Sequence, residues 1–257
     1  KAEINFLSLC FLSFLLALFP RVSLAEELRV AVASNFYSTI KVIAEQFELK
    51  TADSSDQQHK VILIPGSSGK HYAQIINGAP FDIFFSADTE RARLLEQSER
   101  AESGTRFTYA LGKLILWSSM DNYVDLKGDV LKSKDFRYLA IANPKLAPYG
   151  KAAEEVLKSL NIWTDLGGRI VRGENIAQTF QFVSSGNAKL GFVAYSQIKS
   201  LDLSISGSFW EVPQSIYSPI EQQAVLLRDS ALAREFLSFV KSDESLSIIY
   251  ESGYGLP

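Results

Sequence analysis

Four times along this chain a short apolar run stops at a cluster of small polar residues and a segment with helical spacing begins. Leu28 to Ala33 runs into Ser34-Asn35, after which Phe36, Ile40, Val42, Ile43 and Phe47 carry a helical pattern as far as Lys50. Strand, polar turn, helix is the structure this spacing predicts. Lys60 to Pro65 meets Gly66-Ser67-Ser68-Gly69 before Lys70 to Asn77, and Tyr138 to Ala142 meets Asn143 to Gly150 before Lys151 to Trp163. A less apolar version leads from Arg169-Ile170-Val171 through Glu174-Asn175 to Ile176–Ser185. Further apolar runs near 82–86, 113–118, 190–194 and 222–227 complete an alternation that predicts α/β layers with mostly parallel sheets. Ligands in such sheets bind beyond the carboxyl ends of the strands, where all four polar turns fall.

The turns are chemically alike. A helix start leaves backbone N–H groups unpaired and carries partial positive charge, so several starts converging on one point can hold an anion without Lys or Arg. Serine and tyrosine hydroxyls add donors that fix geometry without neutralising charge. Each residue also has a structural role open to it: Ser34, Asn35, Ser67 and Ser68 are ordinary helix caps, and Tyr149 alone reads as a half-buried tyrosine. Asp82 and Asp88 flank a strand and would repel an anion, so Asp82 is assigned to structure and Asp88 to a turn or cap. His59 and His71 have no second ligand at metal spacing.

Residues 4–19 are almost uniformly apolar, Pro20-Arg21 ends the run, and Ser23-Leu24-Ala25 supplies the small residues a signal peptidase accepts. Residues 1–25 are read as a cleaved secretory signal, because about 16 apolar residues fall short of the roughly 20 a membrane-spanning helix needs. Cys10, the single cysteine, goes with it, which removes disulfides, thiolate metal sites and a cysteine nucleophile from the mature chain. Without Lys1, Glu3 and Arg21 there remain 24 basic against 28 acidic residues and no basic run, which speaks against nucleic acid as a partner.

With these junctions in place, the sequence resembles the periplasmic molybdate-binding proteins of ABC transporters, over nearly all the chain after residue 25. The resemblance is carried by Val32-Ala33-Ser34-Asn35, Pro65-Gly66-Ser67-Ser68-Gly69-Lys70, Ala79-Pro80-Phe81-Asp82-Ile83-Phe84-Phe85-Ser86-Ala87-Asp88, Ala142-Asn143-Pro144 through Pro148-Tyr149-Gly150, Glu174-Asn175-Ile176 and Leu190-Gly191-Phe192-Val193-Ala194. It implies an α/β, two-lobed periplasmic binding protein fold of mixed, mostly parallel sheets with helices on both faces, with one lobe of residues 26–107 and 220–257, a second of 108–219, and two crossing strands between them. It implies an oxyanion, molybdate or tungstate, held in the cleft by Ser34, Asn35, Ser68, Tyr149 and the backbone N–H of Ile176. One branch of the family uses a tyrosine directly after the Leu-Gly-Phe-Val strand; here Ala194 stands there and Tyr195 follows, so Tyr149 is assigned the phenol and Tyr195 is the alternative. The implied protein is a periplasmic, monomeric receptor with no cofactor and no catalysis, whose partners are the oxyanion and a membrane permease.

Two rival readings come from other chemistry. Ser67-Ser68-Gly69-Lys70 satisfies the S-x-x-K pattern of secreted serine acyl-enzymes and Ser185-Gly186-Asn187 resembles a second element, but no Lys-Thr-Gly or Lys-Ser-Gly occurs. A binding protein for another ligand, ferric ion or another oxyanion, is the nearer rival, since Tyr149 and Tyr195 could serve as a phenolate pair.

Overall fold

The computed structural model describes residues 26–54, 59–199 and 207–257; the expected signal segment lies outside them. The chain runs β1 (Glu27–Ala33), α1 (Tyr37–Ser54), β2 (Lys60–Gly66), α2 (Ser68–Ile76), β3 (Ile83–Ser86), α3 (Thr89–Gln97), β4 (Phe107–Gly112) and β5 (Leu114–Ser118). It continues through α4 (Val130–Ser133), β6 (Leu139–Ala142), α5 (Pro148–Ser159), β7 (Ile170–Gly173), α6 (Ile176–Ser184), β8 (Leu190–Ala194) and α7 (Tyr195–Lys199). After β9 (Ser208–Glu211) and a 3-10 turn at Gln214–Ile216 come β10 (Ile220–Leu226), α8 (Ala231–Val240) and α9 (Asp243–Glu251).

The strands form two five-stranded sheets, in the orders β2-β1-β3-β10-β4 and β7-β6-β8-β5-β9. β1 is parallel to β2 and β3, and β6 to β7 and β8, while β10 and β5 run antiparallel to their neighbours. Each sheet is therefore mixed, as the resemblance implied. The sequence reading passes over β4 and β9, which are short of consecutive aliphatic residues. Because β4 pairs with β10, the chain leaves the first sheet at Gly112-Lys113, whereas the sequence reading divides the lobes at 107/108. It returns between β9 and β10.

Side chains alternate across β1 and set the layers of the first sheet. Leu28, Val30 and Val32 pack with Phe36, Ile40, Phe47 and Phe236 beneath α1 and α8, and Ala31 faces Phe84, Ile75 and Leu95 beneath α2 and α3. Leu139 and Ile141 of the second sheet pack with Val156 and Leu157 of α5, and Ala140 packs with Val183 of α6. Both sheets are thus covered on both faces, so every loop at the carboxyl ends of the parallel strands is held by packed elements. Phe36 shows the consequence for the first turn. It is fully buried against Phe85, Tyr109 and Tyr254, at 5.9, 4.4 and 5.5 Å between ring centres, and pins the neighbouring Ser34-Asn35 in place.

His71 is 2% exposed on α2, edge-on to Phe81 and Phe84, with Nδ1 3.1 Å from Gln74 Oε1 and Nε2 without a hydrogen-bond partner. Burial is the largest influence on the ring and lowers its pKa, and the neighbouring Lys70 charge acts in the same direction, against the hydrogen bond to Gln74. With the folded value below the unfolded one of about 6.5, the unfolded chain takes up the proton first as pH falls, so stability is full above about pH 6.5 and declines below it. Denaturant midpoints measured at pH 7.5 and 5.5 should fall for the wild type and fall less for His71→Gln; an unchanged pH dependence in the variant would remove His71 from this role.

Candidate functional site

The polar turns of the two sheets face one another across the passage between them. Ser34 follows β1, where its N–H donates to Gly66 O at 2.9 Å and its Oγ accepts the N–H of Ala177 from α6 at 3.4 Å. Ser67 caps α2 by accepting the Lys70 N–H, and Ser68, the first residue of that helix and 1% exposed, accepts the Ala87 N–H on its Oγ at 2.9 Å. Gly69 N–H then crosses to Leu146 O at 2.8 Å, just ahead of α5.

Pro148 and Tyr149 open α5, with proline in the one place in a helix where its missing N–H costs nothing. Gly150 is dictated by the approach of that turn to β6: a Cβ there would fall on the carbonyl of Ala142. Tyr149 is 1% exposed, and its hydroxyl accepts from Gln222 Nε2 at 3.3 Å. Burial first, then the neighbouring Tyr254 and Tyr217, pushes its pKa well above the ordinary tyrosine value, so the group is a neutral phenol. Asn35, 4% exposed, donates from Nδ2 to Gln222 Oε1 at 2.7 Å and to Tyr254 Oη at 3.1 Å. Its carbonyl accepts from Tyr254 Oη at 2.7 Å and from Ser196 Oγ at 3.4 Å.

Ile176 begins α6 behind the cap Asn175, whose side chain accepts the Gln178 N–H. Its carbonyl accepts from Gln197 Nε2 at 3.2 Å. The first N–H groups of α2, α5 and α6, those of Ser68, Tyr149 and Ile176 among them, have no intrahelical partner by the geometry of a helix start. Ser34, Asn35, Tyr149 and Ile176 are therefore drawn together through Ala177, Gln222 and Gln197, and Ser68 stands one residue from the contact that joins α2 to the α5 loop. Tyr195 lies apart. Its ring leans on Phe209 at 5.9 Å, under Lys113 Nζ at 5.8 Å and beside Gly253.

Three hydroxyls share one polarity. Ser34, Ser68 and Tyr149 each accept an N–H from the protein, which leaves each O–H proton to be donated elsewhere. The arrangement offers donors and asks for acceptors. The cations beside it are engaged at the rim: Lys70 Nζ is 3.7 Å from Glu174 in a largely exposed pair, and Arg91 pairs with Asp88, the cap of α3. Ser67 with Lys70 is thus a cap and a rim charge, an arrangement that leaves the serine no base. Asp82 is structural, accepting the Arg29 N–H at 2.7 Å and pairing with Arg228 at 3.3 Å.

A groove of about 510 Å³ adjoins these turns at Ala87 and Pro148 and is lined by Asp88, Glu90, Glu155 and Glu221 against Arg91 and Lys151, an excess of carboxylates that disfavours an anion there. No helix among the described residues is long and apolar enough to cross a membrane. Sequence reasoning passed over Gln222, Tyr109 and Tyr254. The available signal was a pair of glutamines, Gln222-Gln223, inside an otherwise apolar strand.

Comparison with known proteins agrees with this geometry. Residues 28–255 match the family described as bacterial extracellular solute-binding protein. The chain is 46% identical over 235 residues to the molybdate-binding protein ModA of Azotobacter vinelandii, covering 90% of this chain and 91% of the relative. It is 45% identical over 233 residues to ModA of Rhodobacter capsulatus, covering 90% and 88%. The solved structure of the Azotobacter vinelandii periplasmic molybdate-binding protein superposes with a TM-score of 0.84 at 42% identity, over 90% of this chain and 99% of that one. Fold, cleft and sequence together establish that the chain belongs to the bacterial extracellular solute-binding proteins, in the branch of the ModA molybdate-binding proteins.

Proposed function

We propose that this protein is an extracytoplasmic receptor that captures molybdate or tungstate and delivers it to the membrane permease of an ABC transporter. In this reading residues 1–25 are a cleaved signal, the mature protein is a monomer in the periplasm, and the two sheets are the cores of two lobes. Ser34, Asn35, Ser68, Tyr149 and the N–H of Ile176 are the ligand contacts. The observation that carries the reading is the common polarity of the three hydroxyls, each with an N–H on its oxygen and its proton left over. Such a cleft suits a fully deprotonated tetrahedral dianion, whose oxygens only accept. A ferric site would need a second phenolate beside Tyr149, and the Tyr195 ring is instead packed on Phe209 under Lys113.

Binding by the folded state alone links ligand to stability. Molybdate at about 1,000 times its dissociation constant should add roughly 4 kcal/mol and raise the melting temperature by several degrees. Phosphate and ferric ion at equal concentration serve as controls; shifts from either without one from molybdate would reject the reading.

Residue roles separate by measuring affinity and melting on the same variants. Ser34→Ala, Ser68→Ala and Tyr149→Phe should each weaken molybdate binding by about ten- to a hundred-fold, at roughly 1.5–3 kcal/mol per hydrogen bond to a charged partner. Loss of a helix cap would instead lower stability by about 1 kcal/mol with affinity unchanged, as expected for Ser67→Ala. Tyr195→Phe should leave affinity unaltered, and a larger loss there than in Tyr149→Phe would move the phenol to Tyr195.

A further inference from the structure

Gln222 lies fully buried on β10, the strand on which the chain re-enters the first sheet, at the point where pairing with β4 slips by a residue between Gln222 and Gln223. A bulge of this kind re-aims a side chain. The extra residue is Tyr109 of β4, opposite the step between the two glutamines; both glutamines are buried, Gln223 bonded to Arg106 and Thr108 and Gln222 to Asn35, Tyr109 and Tyr149.

The direction of each hydrogen bond around Gln222 follows from one group whose role cannot vary. The carbonyl of Asn35 can only accept, so the Tyr254 hydroxyl donates its proton there, at 2.7 Å. Towards the Asn35 side chain the Tyr254 oxygen can then only accept, which requires Asn35 Nδ2 to face it, at 3.1 Å. The same Nδ2 donates to Gln222 Oε1 at 2.7 Å, which fixes that atom as the amide oxygen; the Tyr109 hydroxyl lies 3.0 Å from it and 3.2 Å from the Ser86 carbonyl and divides its one proton between these two acceptors. The opposite end of the amide, Nε2, is left to donate to Tyr149 Oη at 3.3 Å. The Tyr149 proton therefore has to point away from Gln222. Gly112, at the crossing out of the first sheet, makes room for this contact: a Cβ there would fall on the Tyr149 hydroxyl and within 2.8 Å of Gln222 Nε2.

We propose that Gln222 is a positioning and selectivity residue, which never touches the anion but fixes the Tyr149 hydroxyl as a donor towards it and so turns the cleft against oxyanions that carry a proton. A hydroxyl free to rotate can accept as well as donate, and so can serve a P–OH group; one held by an N–H on its oxygen serves a bare oxygen best. The proposal rests on Tyr149 being a ligand contact.

The test is titration of the wild type, Gln222→Met, Tyr149→Phe and the double variant with molybdate and with phosphate at pH 7, with a melting curve for each. Gln222→Met should weaken molybdate about ten-fold while the preference for molybdate over phosphate narrows, and in the Tyr149→Phe background it should add no further loss. Equal weakening of both anions, or a full additional loss in that background, would make Gln222 merely structural and overturn the proposal. Gln222→Glu is the second variant should the methionine fail to fold: its carboxylate accepts the Tyr149 proton, so molybdate affinity should fall by at least as much as in Tyr149→Phe, and wild-type affinity would overturn the proposal equally. Were Tyr149→Phe itself without effect, the ligand contact would be wrong; an effect of Tyr149→Phe with none of Gln222→Met sinks only the role of Gln222.

Discussion

A helix that starts where a parallel strand ends leaves its first N–H groups with nothing inside the helix to bond, and the rest of this structure is arranged around that surplus. α2 begins at such a point on the first sheet and α5 and α6 at such points on the second, and their starts converge between the sheets. A buried surplus of N–H groups is costly unless something accepts from it. Caps at Ser67 and Asn175 satisfy part of it, each bonding an N–H one turn into its helix. Serine and tyrosine hydroxyls take other N–H groups on their oxygens and pass the donor character on through their own protons.

Neutral donors suit this task better than a buried cation. A Lys or Arg in the cleft would have to be desolvated whenever the lobes closed without an anion, at a cost of several kcal/mol, whereas amides and hydroxyls lose less. The charges that do approach stay at the rim in ion pairs, Lys70 with Glu174 and Arg91 with Asp88. Recognition then rests on the direction of each hydrogen bond, and direction in turn needs a rigid frame. Phe36 supplies it on one side through its aromatic packing, and Gly150 supplies it on the other by letting α5 begin hard against β6.

What the sequence made legible was local. Apolar runs ending in small polar residues gave β1, β2, β6 and the helices that follow them, because period and turn chemistry are properties of neighbouring residues. β4 escaped because Phe107 to Gly112 alternates threonine, tyrosine and alanine and takes its place only by pairing with β10, more than a hundred residues away. The same limit hid the polar cluster behind the cleft. Asn35, Tyr149, Gln222 and Tyr254 come from four separated segments, and only the tertiary fold decides that Gln222 bridges the turn after β1 to the start of α5. Asp88 as a cap was readable because that role is settled within one helix, and Asp82 was read as structural from its place beside a strand, although the groups it holds, the Arg29 N–H and Arg228, are distant in sequence.

The contacts across the cleft are few, and several are long. Ser34 to Ala177 and Ser196 to the Asn35 carbonyl are both at 3.4 Å, Gln222 to Tyr149 is at 3.3 Å, Arg91 to the Lys145 carbonyl is at 3.1 Å and the Lys70–Glu174 pair at 3.7 Å is largely exposed, leaving Gly69 to Leu146 at 2.8 Å as the tightest of this group. Exposed ion pairs contribute about 0–1 kcal/mol and hydrogen bonds at the edge of their range contribute little more. The lobes are thus joined continuously at the crossings, through Gly112-Lys113 and the approach to β10, but are not locked together at their facing turns. An anion that accepts from both sides supplies interactions that exist only in the closed arrangement, and that difference in affinity between open and closed forms is what shifts the population. Because the donors from the two sheets are neutral, opening exposes no unpaired charge, and the same weak rim that permits capture also permits release.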